Sequence, residues 1–278
     1  MKIFQTVEEM RVACRAAKHS LGLVPTMGAL HEGHRSLVRM AQAGCETVAV
    51  TIFVNPTQFG TNEDFAKYPR SFERDREMLE DEGVDLLFAP SVPEMYPEGA
   101  LTSVEVKGMS DRLCGRSRPG HFRGVTTVVA KLFHITEPNL AFFGQKDAAQ
   151  FAIIRRLVGD LNLPVEIVAC PIVREPDGLA LSSRNAYLEP QQRKDALALH
   201  RSLTEVRRRF ESGERSVQKL IAAGKGFFGE GARLDYFELV DTDSLEAIDR
   251  LNKPALVAVA AFVGSTRLID NILLPAGG

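Results

Sequence analysis

Apolar positions along the first two-thirds of the chain follow two patterns that alternate with each other. One pattern repeats at helical spacing, as in the stripe formed by Val7, Met10, Cys14 and Ala17. The other is a nearly continuous apolar run, of which residues 48–54 are an example. A run that is apolar on both faces is typical of a parallel strand covered by helices. The alternation therefore predicts an α/β fold with a doubly wound, Rossmann-like parallel sheet.

Predicted strands and helices follow one another up to about residue 173. Buried strands are predicted over residues 21–25, 48–54, 84–89, 140–143 and 165–173. Helices are predicted around the apolar stripe of residues 37–45 and over residues 71–82, 122–135 and 147–161. The regular succession of strand and helix favours a parallel sheet over an antiparallel one.

The last part of the chain has a different order of elements. Helices are predicted over residues 190–211 and 216–228, before strands over residues 234–240, 255–263 and 267–274. Helices followed by strands predict a small α+β domain. A Pro-Asp-Gly turn at residues 176–178 separates this part from the predicted parallel sheet. We therefore predict two domains, residues 1–174 and residues 175–278.

The composition argues against several classes of protein. Lysine and arginine (34 residues) nearly balance aspartate and glutamate (36 residues), so no broad field attracts nucleic acid or acidic lipid. No apolar run has the length of a membrane span, and the N-terminus lacks the apolar segment of a signal peptide. Four widely spaced cysteines without a CxxC pair are expected to be reduced thiols in the cytoplasm. We expect neither nucleic acid nor a membrane as a partner.

Neither of two common nucleotide-binding motifs provides a nucleotide site in this chain. No GxxxxGK[ST] sequence occurs, which argues against a P-loop enzyme. A GxGxxG sequence does occur at residues 224–229, but it follows a predicted helix rather than a strand. Because no amphipathic helix comes after it, we interpret this sequence as a loop rather than a dinucleotide site.

A stronger candidate for chemistry is the HxGH motif within residues 25–34, which follow the first core strand and begin an amphipathic helix. Ligands of open α/β sheets bind at the carboxyl ends of strands, and free N–H groups at a helix start attract phosphate. Gly28 and Gly33 allow close approach to a ligand, while His31 and His34 can donate to phosphate oxygens. A zinc site is the alternative, but the histidines are i,i+3 and no third ligand is evident.

Polar residues also follow two other predicted strands. Asn55 and Gln58 come after the second core strand, where their amides could bind a polar substrate or simply form a proline turn. Lys146 follows a later strand, and Gln150 lies one helical turn beyond it. A lysine at a helix start opposes the helix dipole, which favours an anionic ligand at that place.

A fourth polar cluster lies near the predicted domain boundary. Ser182, Ser183 and Arg184 place two hydroxyls and a guanidinium in a predicted loop. By itself such a cluster is typical of a polar turn. Beside three other clusters that suit a ligand, it is interpreted as a mobile clamp for phosphate.

These segments together resemble the pantothenate synthetase family of the HxGH nucleotidyltransferase superfamily. The matching segments are residues 25–34, 53–59, 118–125, 143–150 and 182–185. The HxGH motif alone indicates only the superfamily, whereas its combination with the second and third segments is specific to the family. The match covers nearly the whole chain. Leu181 stands where some relatives carry methionine, a change that conserves apolar volume.

The resemblance implies an ATP-dependent, homodimeric ligase that works in two steps. The carboxylate of pantoate would attack the α-phosphorus of ATP, which releases pyrophosphate and forms pantoyl adenylate. The amine of β-alanine would then displace AMP and form pantothenate. Residues 1–174 would bind nucleotide and pantoate, and residues 175–278 would act as a lid. Mg²⁺ would be held mainly by the ATP phosphates, and the resemblance assigns it no protein ligand.

The resemblance also implies a role for each matching residue. His34 would be the principal catalytic residue. The other residues expected to act on the phosphates are His31, Lys146 and Arg184. Those expected to bind pantoate and β-alanine are Gln58, Gln150 and Asn55. Those expected to line the ATP site are Met27, Gly28, His31, Gly33, His34, Gly144, Lys146, Asp147, Val173, Leu181, Ser182, Ser183 and Arg184.

Two other functions stay open. Another adenylyltransferase of the superfamily would retain AMP in its product, whereas the ligase releases AMP. A nucleotide-sensing or RNA-binding module would keep the fold without catalysis, although the near-neutral charge and the lack of an aromatic-plus-basic motif argue against it. An assay for AMP release separates these functions from the ligase.

Overall fold

The computed structural model describes residues 1–17, 20–60 and 63–276. Its strands are β1 (Lys2–Phe4), β2 (Leu21–Thr26), β3 (Thr47–Ile52), β4 (Leu86–Phe88), β5 (Leu140–Gly144), β6 (Glu166–Cys170), β7 (Arg233–Asp241), β8 (Ala255–Val263) and β9 (Thr266–Leu274). Its α-helices are α1 (Val7–Arg15), α2 (Glu32–Gly44), α3 (Phe72–Asp81), α4 (Val92–Met95), α5 (Cys114–Ser117), α6 (His121–Thr136), α7 (Ala148–Asp160), α8 (Pro190–Asp195), α9 (Leu197–Glu211) and α10 (Val217–Lys225). Short 3₁₀ helices cover Pro56–Gln58, Asp64–Ala66, Gln145–Asp147 and Ser183–Tyr187.

The first six strands form one parallel sheet in the order β1-β4-β3-β2-β5-β6. The predicted doubly wound α/β class is therefore confirmed. The chain runs from β2 to its neighbour β3 on one side and later places β5 on the other side of β2. The carboxyl ends of β2 and β5 thus flank the switch point, where open sheets form a crevice for ligands.

The last three strands form a separate antiparallel sheet in the order β7-β8-β9. Strand β8 is apolar at every position, because both faces of this sheet are covered. One face, which includes Leu256, belongs to the same apolar cluster as residues of α6 and α7 beside the parallel sheet. The other face, which includes Val257, packs with α9 and α10. This arrangement confirms the predicted α+β character of residues beyond the parallel sheet.

Several predicted bounds are wrong in detail. The helix predicted over residues 190–211 divides at Ala196 into α8 and α9. The helix predicted over residues 216–228 ends at Lys225, so the GxGxxG sequence begins inside a helix and continues as a turn. Gly224 of that sequence is required by packing, because a Cβ there would lie 2.1 Å from the Phe237 ring. Strand β1 was not predicted, because three residues are too few to show a pattern.

Residues 173–181 form a tight hairpin at the predicted domain boundary, closed by an antiparallel bridge between Arg174 and Ala180. The Arg174 guanidinium donates two hydrogen bonds of 2.7 and 2.9 Å to Asp270 on β9. The hairpin is therefore fastened to the antiparallel sheet. The division at residue 174 itself stays a prediction. No helix among the described residues is long and apolar enough to cross a membrane.

Candidate active site

Two adjoining cavities lie at the carboxyl ends of β2 and β5. The smaller cavity, of about 240 Å³, lies against these strand ends, and the larger, of about 660 Å³, extends toward the antiparallel sheet. Residues that line both cavities are Arg118, His121, Lys146, Asp147, Gln150, Ser182 and Arg184. The two spaces therefore form one candidate active site with shared walls.

The smaller cavity brings nearly all of the predicted site residues together. The predicted residues that line it are Met27, His31, Gly33, His34, Asn55, Gln58, Gly144, Lys146, Asp147, Gln150, Val173, Leu181, Ser182, Ser183 and Arg184. Gly28 lies elsewhere, on the far side of the loop beside Asp75. Its φ of +82° shows that a left-handed turn requires glycine there, rather than close approach to the cavity.

The two histidines of the HxGH motif hold each other in a defined orientation at the start of α2. The Nδ1 atom of His31 accepts a hydrogen bond of 3.2 Å from the Gly33 N–H. The Nδ1 atom of His34 accepts one of 3.3 Å from the His31 N–H, and the ring centroids are 4.1 Å apart. Because both Nδ1 atoms accept, the proton of each neutral ring resides on Nε2.

The environment keeps both imidazoles neutral. Burial and the charge of Lys146 lower the pKa of His31 to about 4. Burial, followed by the effects of His31 and Lys146, lowers the pKa of His34 to about 3. At pH 7 each ring therefore offers one neutral Nε2–H donor to the site. Gly33 permits this arrangement, because a Cβ there would lie 2.9 Å from the His31 ring.

The backbone at the start of α2 differs from the expectation of free N–H groups. Gly28 donates to the Thr26 hydroxyl at 3.1 Å, and Ala29 and Leu30 donate to the Asp75 carboxylate at 2.8 and 2.9 Å. The following N–H group, that of His31, donates to Nδ1 of His34. These amides are occupied by protein acceptors, so the donors available to a phosphate are mainly side chains.

The amides of Asn55 and Gln58 have different surroundings. The Asn55 side chain is 1% exposed and donates to Gln58 Oε1 at 3.0 Å and to the Gly124 carbonyl at 3.1 Å. Its oxygen accepts from Tyr96 and Thr57 at 2.9 Å each. Asn55 lines the cavity with its polar atoms already bonded within the protein, and its expected role as a substrate ligand stays a prediction. The Asn55 amide holds Gln58 Oε1, and Gln58 Nε2 donates to Met27 Sδ at 2.9 Å in the same cavity wall.

Arg118 and His121 form a network beneath Gln58 that sequence reasoning did not identify. The His121 Nδ1–H donates to the Gln58 carbonyl at 2.8 Å, and its Nε2 accepts from Arg118 at 3.0 Å. The Arg118 Nε donates to Glu63 at 2.9 Å. Both residues lie in the matched segment 118–125, but no motif alone predicts contacts across more than fifty positions of chain.

The buried imidazole of His121 makes stability depend on pH. Burial, followed by the Arg118 charge, lowers the pKa of His121 to about 4, below the unfolded value of about 6.5. As the pH falls, the unfolded chain therefore binds this proton first. The contribution of the neutral His121 ring to the free energy of unfolding is fully present above pH 6.5. It is lost as the pH falls toward 4, by up to about 1.4 kcal/mol per pH unit.

We accordingly expect His121→Asn to reduce the loss of unfolding free energy between pH 6.5 and 4, as measured by urea titration at each pH. Part of the loss should remain, because the pKa values of His31 and His34 are lowered as well. The exposed His134 provides the matched control His134→Asn, which should retain the wild-type slope. An unchanged slope in the His121 variant would contradict the assignment of a buried neutral ring.

The loop after β5 carries Lys146 and is hydrogen-bonded to a side chain of the antiparallel sheet. The Asn271 side chain, on β9, donates to the carbonyls of Gln145 and Lys146 at 2.9 Å each and accepts from the Gln145 amide at 3.1 Å. Among the described residues, Lys146 has no acidic partner within ion-pair distance. A Cβ on Gly144 would meet no described atom within 4 Å, so the wall of the cavity is open there.

The segment that contains Ser182–Arg184 is a 3₁₀ helix docked onto the parallel-sheet part of the chain. Ser182 caps it by accepting from the Arg184 N–H at 3.3 Å. The Arg184 guanidinium lies 5.9 Å from the centre of the Tyr68 ring, and the Tyr68 hydroxyl lies 3.4 Å from the Ser183 hydroxyl. Tyr68 is thus a further wall residue that the sequence motifs did not reveal.

The described residues contain no group of three histidine, cysteine, aspartate or glutamate side chains that could hold a metal ion. The HxGH pair is therefore not part of a three-ligand metal cluster in the described chain. Asp147 is the carboxylate beside Lys146 in both cavities. One carboxylate is compatible with an ion that is bound mainly by substrate phosphates.

Comparisons with known proteins agree with this geometry. The sequence profile of the family described as pantoate-beta-alanine ligase matches residues 2–273. A pantothenate synthetase of Koribacter versatilis is 57% identical, over 100% of this chain and 97% of that protein. One from Thermotoga neapolitana is 55% identical, over 99% of this chain and 100% of that protein.

Solved structures extend the similarity to the fold. Pantothenate synthetase from Thermus thermophilus has a TM-score of 0.94 at 46% identity and covers 98% of this chain and 99% of its own. Pantoate-beta-alanine ligase from Francisella tularensis, complexed with beta-gamma ATP and beta-alanine, has a TM-score of 0.81 at 36% identity, over 98% and 97% of the two chains. The chain therefore belongs to the pantoate-β-alanine ligase family.

Proposed function

We propose that the protein joins pantoate to β-alanine with ATP, through pantoyl adenylate, and releases pyrophosphate and AMP. The observation that carries this proposal is the shared cavity in which the neutral pair His31 and His34 faces Lys146, with Gln58 and Gln150 in the same walls. Donors and a cation suit the phosphates, while the two amides suit a hydroxylated carboxylate.

In the first step, the carboxylate of pantoate attacks the α-phosphorus, and the bond to pyrophosphate breaks. Two anions must be brought together, so positioning and charge compensation provide most of the catalysis. The Nε2–H groups of His31 and His34 donate to phosphate oxygens, and Lys146 and Arg184 stabilise the negative charge that moves onto pyrophosphate. Neutral imidazoles suit this work because they donate without losing a proton.

In the second step, the amine of β-alanine attacks the carbonyl of the adenylate, and AMP leaves. The larger cavity adjoins the smaller one along Lys146 and Gln150 and provides room for a second substrate beside the first. Enclosure by both parts of the chain limits access of water to the mixed anhydride.

Mg²⁺ belongs to this proposal as an ion carried by the ATP phosphates. Asp147, exposed in both cavities, would be its protein ligand, directly or through water. Bound there, the ion would neutralise phosphate charge.

The assignment of individual residues is also part of the proposal. We assign His34 as the principal catalytic residue and Gln58 with Gln150 to pantoate, whereas Asn55 positions Gln58. Gly28 shapes the loop before the HxGH motif. The residues assigned to ATP are Met27, His31, Gly33, His34, Gly144, Lys146, Asp147, Val173, Leu181, Ser182, Ser183 and Arg184.

Alanine in place of Gln58 or Gln150 is expected to raise the KM for pantoate while the KM for ATP changes little. Each change leaves a buried polar group of the substrate unpaired, at about 1–3 kcal/mol, or about 5-fold to 150-fold in KM. Steady-state kinetics with each substrate varied will measure both constants. A large rise in the KM for ATP with that for pantoate unchanged would reverse this part of the assignment.

We further propose that residues 175–278 form a lid whose segment 178–190 becomes better protected when ATP binds. Charge-assisted bonds from Arg184 to phosphate would add to its present contacts with Tyr68. Hydrogen exchange of this segment should slow with a non-hydrolysable ATP analogue, while exchange in α10, remote from the cavities, should not change. Equal exchange in both states would mean that the segment is a fixed wall.

The direct test of the function is a pantoate- and β-alanine-dependent assay for AMP. Omission of either substrate should abolish pantothenate formation, and a product that retains AMP would indicate another adenylyltransferase. We also propose a cytoplasmic location, where its four free thiols would stay reduced. Assembly as a homodimer, which the resemblance implies, stays a prediction.

A further inference from the structure

Asp75 is a buried carboxylate that lies behind the loop preceding the HxGH motif. It is 1% exposed and belongs to the first turn of α3, where the helix dipole favours a negative group. The described walls of the two active-site cavities do not include it. Its effect on the site must therefore pass through the residues that it contacts.

Both carboxylate oxygens are used to hold the loop. Oδ2 accepts from the Ala29 N–H at 2.8 Å, and Oδ1 accepts from the Leu30 N–H at 2.9 Å. Oδ1 also accepts from the Ser71 hydroxyl at 3.2 Å. Asp75 is forty-five positions from Leu30 in the chain, so these bonds fix the distance between two separate helices.

The loop that Asp75 holds has an unusual backbone. Gly28 has a φ of +82° and Ala29 a φ of +51°, so two consecutive residues are left-handed. This conformation is disfavoured for a residue with a side chain such as Ala29 and persists when surrounding bonds impose it. The two bonds from Asp75 impose it at that residue and the next. His31 follows directly, as the N-cap of α2.

We infer that Asp75 is a positioning residue that sets the orientation of the His31–His34 pair through the left-handed loop. The inference rests on the proposed function of that pair. An asparagine would preserve the size of the side chain but would present an NH₂ group to one of the two N–H donors. One bond would be replaced by a repulsion, and the start of α2 would shift.

Asp75→Asn is therefore expected to lower the single-turnover rate of adenylate formation about 10-fold to 100-fold, the range that small misplacements of catalytic groups produce. The KM for pantoate should change less than this rate, because Asn55 holds Gln58 Oε1 from outside the loop, although Gln58 Nε2 donates to Met27 Sδ at 2.9 Å beside Gly28. The ¹⁵N shifts of the two histidine rings should also move, since their tautomers depend on the Nδ1 contacts. A merely structural loss would leave the ring shifts of the folded fraction unchanged.

Asp241 provides a matched control. Its carboxylate accepts from the N–H groups of Asp243 and Ser244 at 3.0 and 2.8 Å and from the Ser244 hydroxyl at 3.0 Å. It is the last residue of β7, also pairs with Lys253, and lies outside the described walls of both cavities. Asp241→Asn should lower stability without lowering the rate of adenylate formation or moving the ring shifts.

The rate is measured as pantoate-dependent release of pyrophosphate from ATP. A folded Asp75→Asn protein with the wild-type rate and ring shifts would overturn the inference. If this variant does not fold, Asp75→Glu keeps both acceptor oxygens but displaces them by one methylene, and a wild-type rate and wild-type ring shifts in that variant would overturn it instead. A wild-type protein that releases no pyrophosphate would overturn the proposed function, irrespective of Asp75.

Discussion

Replacing His34 with alanine is expected to lower the rate of adenylate formation about 10²-fold to 10³-fold, the usual result of removing one preorganised donor to developing charge. The structure gives a specific reason. His34 Nδ1 is engaged by the His31 N–H, so the neutral ring directs its Nε2–H outward. Its low pKa keeps the ring in that state at neutral pH. Rapid-quench measurement of adenylate from ATP and pantoate is the required assay.

The His34 prediction has a control in the same protein. His134→Ala changes an exposed histidine of α6 and should retain wild-type activity and melting temperature. Because the pKa of His34 is about 3, the rate of adenylate formation should not vary with its titration between pH 6 and 8. Near wild-type turnover in a folded His34→Ala protein would exclude His34 as the principal catalytic residue.

Replacing Lys146 with alanine is expected to slow adenylate formation about 10²-fold to 10³-fold and to affect the second step much less. Negative charge must be neutralised mainly while pyrophosphate leaves, and no acidic partner among the described residues competes for the ammonium group. Single-turnover reactions started from ATP, or from prepared pantoyl adenylate and β-alanine, separate the two steps.

Lys194→Ala, on the exposed surface of α8, is the matched loss of one positive charge and should leave both steps unchanged. Lys146→Arg, which preserves the charge but not the point-like ammonium, should recover part of the first-step rate. Equal losses in the two steps of the alanine variant would show that Lys146 does not act selectively on the departure of pyrophosphate.

The fold class was predictable because each core strand is a compact apolar run and the helices have clear stripes. The HxGH motif was also predictable, because its residues are contiguous in the sequence. Gly28 and the N–H groups of the loop suggested phosphate binding, but they are used by the turn and by Asp75. Local sequence shows which groups exist but not which distant acceptor occupies them.

The residues that sequence reasoning missed all act across long separations in the chain. His121 reaches the carbonyl of Gln58, and Tyr68 contacts Ser183. The bonds of Asn55 to Gly124 and Tyr96 likewise could not be predicted from its polar segment alone. Such pairings follow from the order of strands in the sheet, which hydrophobic periodicity alone does not determine.

The contact between Asn271 and the Lys146 loop has a consequence for heat inactivation. Among the described strands, β9 pairs with β8 alone, and such an edge can open at a lower free energy than the whole fold unfolds, although opening would also release the Arg174–Asp270 pair. Its detachment would remove both side-chain bonds that fix the carbonyls of Gln145 and Lys146. The protein would then lose its catalytic geometry in a partial opening, at a temperature below that at which the parallel sheet melts.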